Sequence, residues 1–209
     1  MVRLVIASNN KGKLLEFRRL LEPLGFQVVG ISELVGAFSV DETGSTFAAN
    51  AVLKARAACE ATTGSWALAD DSGLEVDALD GRPGVRSARY AGEGASDAEN
   101  NDLLLKQMAE VDEPARTARF RCAIALAEAS GAVTTVEGSC EGTILRAPRG
   151  DGGFGYDPLF SVAAFDGRSF AELSSTEKDQ VSHRAQALRS IEDLLLTRYR
   201  RLSTKHSES

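Results

Sequence analysis

Two acids side by side, Asp70 and Asp71, follow the apolar run 66–69 and precede Ser72 and Gly73. Adjacent carboxylates at the end of a buried strand are costly unless something compensates them. Strand ends in α/β sheets commonly face the ligand crevice. With a hydroxyl and a glycine behind them, these acids suit a phosphate or a metal ion; the plainer reading is a capped Asp-Ser-Gly turn. A second cluster, Ser8-Asn9-Asn10-Lys11-Gly12-Lys13, falls between a strand and the start of a helix. Free N–H groups and the helix dipole favour anions there, and two lysines add charge. It is not a Walker A loop, because Ala7 replaces the first glycine and Leu14 the Ser/Thr. It reads equally as an Asn-capped helix with solvated lysines. The acidic loop Asp41-Glu42-Thr43-Gly44 is a weak signal alone. Paired with Asp71 it would complete an oxygen-rich site of the kind Mg²⁺ uses, with one or two carboxylates plus waters and phosphates.

The stretch Gly152-Gly153-Phe154-Gly155-Tyr156-Asp157-Pro158 sets glycines around two aromatic rings. Glycine lets a backbone approach a ligand closely, and an exposed ring offers a stacking face worth roughly 1–3 kcal/mol per base. The stretch is either a pocket for a planar ligand or a tight turn with one ring in the core. Residues 175–184 open the last helix, where Lys178 and Ser182 are one turn apart on one face, with His183 and Arg184 beside them. They could read a base edge and a phosphate, or form a solvated face. The arginines of 84–90 could reach a phosphate or simply structure their loop.

The elements that must position these groups follow from periodicity. Residues 2–7 form a compact β-branched strand, and 12–22 switch to helical spacing with Leu14, Phe17, Leu20 and Leu21 on one face. Pro23 and Gly25 stop that helix, and 26–31 read as the next strand, a β-α-β opening that predicts parallel pairing. Thr46 can cap a long helix through 61 that packs Phe47, Val52, Leu53 and alanines. A short strand at 66–70 ends in the acids, and 74–79 alternate weakly. A helix covers about 97–110, and 117–127 with 132–140 alternate as a hairpin turning at Ser130-Gly131. A short strand at 158–162, a helix over about 175–200 and a frayed tail at 203–209 complete the chain.

The 209 residues fit one domain or two lobes sharing a sheet, and a 43% hydrophobic, 26% charged composition is that of a soluble globular protein. The net charge of −6 argues against a nucleic-acid polymer as partner, because such binding neutralises phosphates. A small phosphorylated ligand needs only a local basic pocket. Three widely spaced cysteines and two histidines give neither a disulfide framework nor zinc spacing, so a bound metal would take oxygen ligands, which means Mg²⁺ or Mn²⁺. No apolar run approaches the ~20 residues of a membrane span, and the N-terminus lacks a basic signal region. The expected location is the cytoplasm.

In order along residues 4 to about 190, Ser8-x-Asn10-x-x-Lys13, Glu42-Thr43-Gly44, Ala69-Asp70-Asp71-Ser72-Gly73-Leu74, Pro83-Gly84, Ser87-Ala88-Arg89-Tyr90, Gly153-Phe154-Gly155-Tyr156-Asp157-Pro158 and Ser182-His183-Arg184 resemble the inosine triphosphate pyrophosphatase family, the Ham1/RdgB-like enzymes. Each motif is weak alone; their order and spacing are specific. Asn9, where some relatives carry glycine, and the tail beyond about 197 depart from the pattern. The resemblance implies an α/β fold, an elongated mixed central sheet flanked by helices in two lobes with the active site in the cleft between them. It implies Mg²⁺-dependent (Mn²⁺ as substitute) hydrolysis of the non-standard purine nucleoside triphosphates ITP, dITP and XTP to monophosphate and pyrophosphate, by a homodimer. By position, it makes Asp71 the catalytic carboxylate and a metal ligand, and Asp41 or Glu42 the other ligand. Residues Ser8, Asn9, Asn10, Lys11, Gly12 and Lys13 would hold the triphosphate, with Ser72 and Lys178 assisting and Asp70 in support. Phe154, Gly155, Tyr156 and Asp157, with His183 and Arg184, would hold the base. A Maf-like pyrophosphatase of other modified nucleotides and a non-catalytic nucleotide sensor are the alternatives.

Overall fold

The computed structural model describes residues 2–205, with side chains through 197. Among the described residues, the strands are β1 (Arg3–Ile6), β2 (Gln27–Gly30), β3 (Trp66–Val76), β4 (Thr117–Ala127), β5 (Val133–Ile144), β6 (Phe160–Val162) and β7 (Arg168–Ser169). The α-helices are α1 (Lys11–Leu21), α2 (Ile31–Val35), α3 (Phe47–Ala61), α4 (Asp97–Gln107), α5 (Ser175–Val181) and α6 (His183–Lys205). The strands form one sheet in the order β2-β1-β3-β4-β5-β6-β7. β1 pairs in parallel with β2 and β3, as a β-α-β opening requires, whereas β5–β6 and β6–β7 are antiparallel, so the sheet is mixed. Leu4, Val5 and Ile6 are fully buried, which suits a strand with parallel neighbours on both sides.

The chain packs as two compact units. Among the described residues, the first holds those up to Asp70, 123–138 and those from Arg184 onward; the second holds 71–122 and 139–183. In the first unit, Asn10 caps α1 by accepting from the Lys13 N–H at 3.0 Å. The helix gives way to a 3₁₀ turn containing Pro23, and Gly25 (φ +92°) ends it in the left-handed conformation. Thr46 Oγ1 caps α3 by accepting from the Ala49 N–H at 3.1 Å. The inner face of α3 is Asn50, Ala51, Ala55, Ala58 and Cys59, while Leu53, expected inside, is exposed. Its alanines share a core with Ala67 and Ala69 of β3 and Ala123, Ala125 and Ala127 of β4, side chains small enough for helix and sheet to lie close. The second unit has a larger-residue core, built on Leu74, Val76, Leu104, Met108, Phe120, Phe160 and Phe170. Buried within that unit, Arg116 donates to the carbonyls of Met108, Val111, Ile144 and Leu145, tying the start of β4 to the ends of two other segments.

Three expectations change. The expected break between 70 and 74 is absent: β3 is one strand through Asp70-Asp71-Ser72-Gly73, residues poor in strand propensity but held in the ladder by tertiary context. The expected single C-terminal helix is two, because Ser182 is extended (φ −64°, ψ 148°) between α5 and α6. Of the expected frayed tail, 203–205 continue α6, and 206–209 lie outside the described residues. No helix among the described residues is long and apolar enough to cross a membrane.

Candidate active site

In the first unit the centre of charge is Asp70, whose side chain is fully buried. Arg184 donates to Asp70 Oδ2 through Nη2 at 2.7 Å and Nε at 3.1 Å, and Lys13 Nζ stands 3.0 Å from the same oxygen. The remaining arm of the Arg184 guanidinium, Nη1, donates to Glu16 of α1. Two buried carboxylates and two cations thus form a neutral cluster that joins α1, β3 and α6. Burial alone would raise the Asp70 carboxyl, but Arg184, Lys13 and Lys54 outweigh it and hold it far below the usual carboxylate range. Asp70 is therefore an ionised anchor, and Arg184, 1% exposed, is its partner. In this structure the guanidinium serves Asp70 and Glu16, which fixes its position beside Lys13.

Lys13 differs, because its side chain keeps 16% exposure. An ammonium has three donors; one direction is fixed by Asp70, and the others can address an anion. Around it, Ser8 Oγ accepts from the Asn10 N–H at 3.2 Å, and Asn9 Nδ2 donates to the Phe38 carbonyl at 2.7 Å. Ser8, Asn9 and Asn10 thus shape the turn that starts α1, while Lys11 is exposed and Gly12 half-buried on its first turn. In the acidic loop, Glu42 pairs with Lys54 of α3 at 2.8 Å, and Asp41 is exposed. Asn50, fully buried on α3, fixes that loop by accepting from the Gly44 N–H at 2.8 Å. A Cβ on Gly44 would lie 2.6 Å from Asn50 Oδ1, so this approach requires glycine.

Asp71 opens the second unit. Successive side chains of a strand point to opposite faces, so Asp70 and Asp71, consecutive within β3, are not a paired dicarboxylate facing one ligand. Asp71 is 6% exposed and Ser72 half-buried. In the glycine loop, Asp157 Oδ2 accepts from the Phe154 N–H at 2.9 Å and from Lys178 Nζ at 2.6 Å. Lys178 in turn sits 4.8 Å from the centroid of the Phe154 ring, a cation–π distance. Gly153 has φ +75°, and a Cβ there would lie 2.0 Å from Asp157 Oδ2. The loop therefore closes on Asp157, to which Lys178, 6% exposed, donates.

The two rings of the loop separate. Phe154 is half-buried. Tyr156 is 5% exposed, belongs to the hydrophobic core and donates its hydroxyl to the Ser87 carbonyl at 2.9 Å. Tyr156 is thus the ring of the loop that packs into the core, and Phe154 the one that stays partly accessible. The serine it meets is itself structural: Ser87 Oγ accepts from the Leu74 N–H and donates to the Gly84 carbonyl. His183, 5% exposed, stacks on Phe120 with ring centroids 4.8 Å apart.

Residues that sequence reasoning passed over complete the site. Glu16 follows Lys13 by three positions, a spacing that puts both on one helix face, yet it was masked by the apolar residues around it. Asn50, and Asp97 with Asn101 of α4, touch the site loops through backbone groups, which leave no motif. Among the described residues, no three His, Cys, Asp or Glu side chains gather closely enough to hold a metal by themselves. Mg²⁺ does not require three, since it keeps waters and shares phosphate oxygens. The carboxylates singled out from the sequence, Asp41, Glu42 and Asp71, offer oxygen, the hard-ligand type that suits it.

Residues 4–194 match the model of the Ham1 family. A dITP/XTP pyrophosphatase of Desulforamulus reducens is 55% identical over 93% of this chain and 96% of its own length, and one of Bacillus subtilis is 46% identical over 93% and 98%. Among solved structures, a HAM1 protein from Coxiella burnetii (TM-score 0.82, 44% identity) covers 93% of this chain and 98% of its own. The Ham1 protein of Staphylococcus aureus (TM-score 0.80, 42% identity) covers 92% and 97%. With its fold and nearly its whole length matched, the chain belongs to the Ham1 family.

Proposed function

We propose that the protein is a nucleoside triphosphate pyrophosphohydrolase acting on non-standard purine nucleotides (dITP, ITP and XTP), releasing monophosphate and pyrophosphate. Two near-full-length relatives bear the name dITP/XTP pyrophosphatase, and that is the strongest support. The site adds a physical reason. In a buried, charge-balanced cluster, Lys13 is the cation that keeps solvent access, and it stands at the start of α1, where an anion is favoured.

Phosphoryl transfer depends on positioning and charge neutralisation. In this reading the first turn of α1 and Lys13 bind the triphosphate, and Asp70, Arg184 and Glu16 hold Lys13 in place. Asp71 orients the water that attacks the α-phosphorus, accepting its proton at the carboxylate as pyrophosphate leaves. Mg²⁺, or Mn²⁺ in its stead, held by Asp71 and by the loop acids Asp41 and Glu42, would supply Lewis-acid neutralisation of phosphate oxygens. In the second unit, Phe154 is the stacking ring, and His183 and the loop N–H groups supply donors for a 6-keto oxygen. A donor set built for a keto group leaves a buried donor unpaired against the 6-amino group of adenine, which disfavours ATP by orders of magnitude. Asp71→Asn is expected to lower turnover by about 10²-fold or more, the scale of a lost general base, with an unchanged circular dichroism spectrum. A folded Asp71→Asn protein with near-normal pyrophosphate release would refute the assignment.

A further inference from the structure

Gly155, the residue after Phe154, is gripped on both sides by one helix. Its N–H donates to Asp97 Oδ2 at 2.6 Å, and its carbonyl accepts from Asn101 Nδ2 at 3.0 Å. Asp97 and Asn101 are one turn apart on α4 and so share a face. Gly155 sits at φ +61°, a conformation that L side chains rarely adopt. The two peptide units flanking it are thereby fixed from outside the loop, while Asp157 fixes the N–H of Phe154 from within. What the two positions need differs chemically. Position 97 must accept, and position 101 must donate: the Asn101 amide orientation is set by the Gly155 carbonyl, and its Oδ1, buried, has no hydrogen-bond partner among the described residues. The Asn101 bond is part-buried, with the residue 8% exposed, whereas the Asp97 bond is exposed and competes with water.

We propose that Asp97 and Asn101 are positioning residues for base recognition: by pinning the Gly155 peptide they hold Phe154 where a purine stacks. This rests on the reading of Phe154 as the stacking ring. The isosteric exchanges at the two positions then have opposite outcomes. Asp97→Asn keeps an acceptor for the Gly155 N–H, while Asn101→Asp removes the donor for its carbonyl. A mere contribution of Asp97 to α4 through the helix dipole would be lost equally in Asp97→Asn and Asp97→Ala.

The test uses the full chain with two readouts, amide hydrogen exchange over residues 152–157 and the steady-state constants for ITP. Asn101→Asp and Asp97→Ala are expected to speed exchange in that segment. They should raise KM about tenfold, the scale of one lost hydrogen bond, and change kcat far less. Asp97→Asn is expected to recover most of what Asp97→Ala loses. Unchanged exchange in both disrupting variants overturns the proposal, as does faster exchange with an unaltered KM, or an Asp97→Asn protein as impaired as Asp97→Ala. Asp97→Ala, at an exposed position, keeps the test decisive if Asn101→Asp fails to fold. Wild-type protein that turns over no keto-purine triphosphate would sink the reading of Phe154 itself, with exchange still reporting on the clamp.

Discussion

At the scale of single residues, the site is governed by how its buried charges are compensated. Arg184 neutralises both Asp70 and Glu16 from a position 114 residues away from Asp70. Removing one partner of such a set leaves unpaired charge in the interior, which costs about 3–5 kcal/mol. Arg184→Met is therefore expected to lower the urea midpoint by an amount equivalent to that loss, before any nucleotide is added. A variant as stable as wild type but unable to discriminate bases would make Arg184 a base-reading residue and not an anchor. The type of chemistry at these positions was legible in the sequence: adjacent acids invite compensation, and a lysine at a helix start invites an anion. The pairing was not, because a charge's partner is chosen by tertiary approach, and nothing local tells Arg184 from any other exposed-looking arginine on a polar helix face.

At the scale of elements, the glycine loop shows how a permissive sequence becomes a fixed one. Gly153 is required by a positive φ of +75° and by the Asp157 carboxylate, which cannot move aside while Lys178 and the Phe154 N–H hold it. Gly153→Ala is expected to cost about 1–3 kcal/mol of backbone strain, read as a fall in the thermal midpoint, and to raise KM for purine triphosphates. A fully stable alanine variant would mean the loop tolerates rearrangement. Strand and helix periods made most elements legible, including the β-α-β start and the cap at Thr46. Two features escaped. Asp-Asp-Ser-Gly looks like a strand terminus because its residues disfavour strands, but compensation of Asp70 by Arg184 and Lys13 lets β3 run on. The break at Ser182 carries no Pro or Gly, the usual punctuation, so α5 and α6 read as one helix.

At the scale of the whole molecule, each unit carries its own hydrophobic core, alanine-rich in the first and phenylalanine-rich in the second. The groups assigned to the triphosphate belong to the first unit, and the aromatic loop assigned to the base belongs to the second. A chain of net charge −6 that keeps a partly accessible lysine, Lys13, at the start of a helix suits a small anion better than a polymer. The central claim, pyrophosphate release from keto purine triphosphates, is tested most directly by measuring pyrophosphate formation with Mg²⁺ across ITP, dITP, XTP, GTP and ATP. The account predicts kcat/KM for ITP, dITP and XTP above that for ATP by orders of magnitude, with monophosphate as the other product. Equal efficiency on ATP and ITP, or release of orthophosphate in place of pyrophosphate, would contradict it.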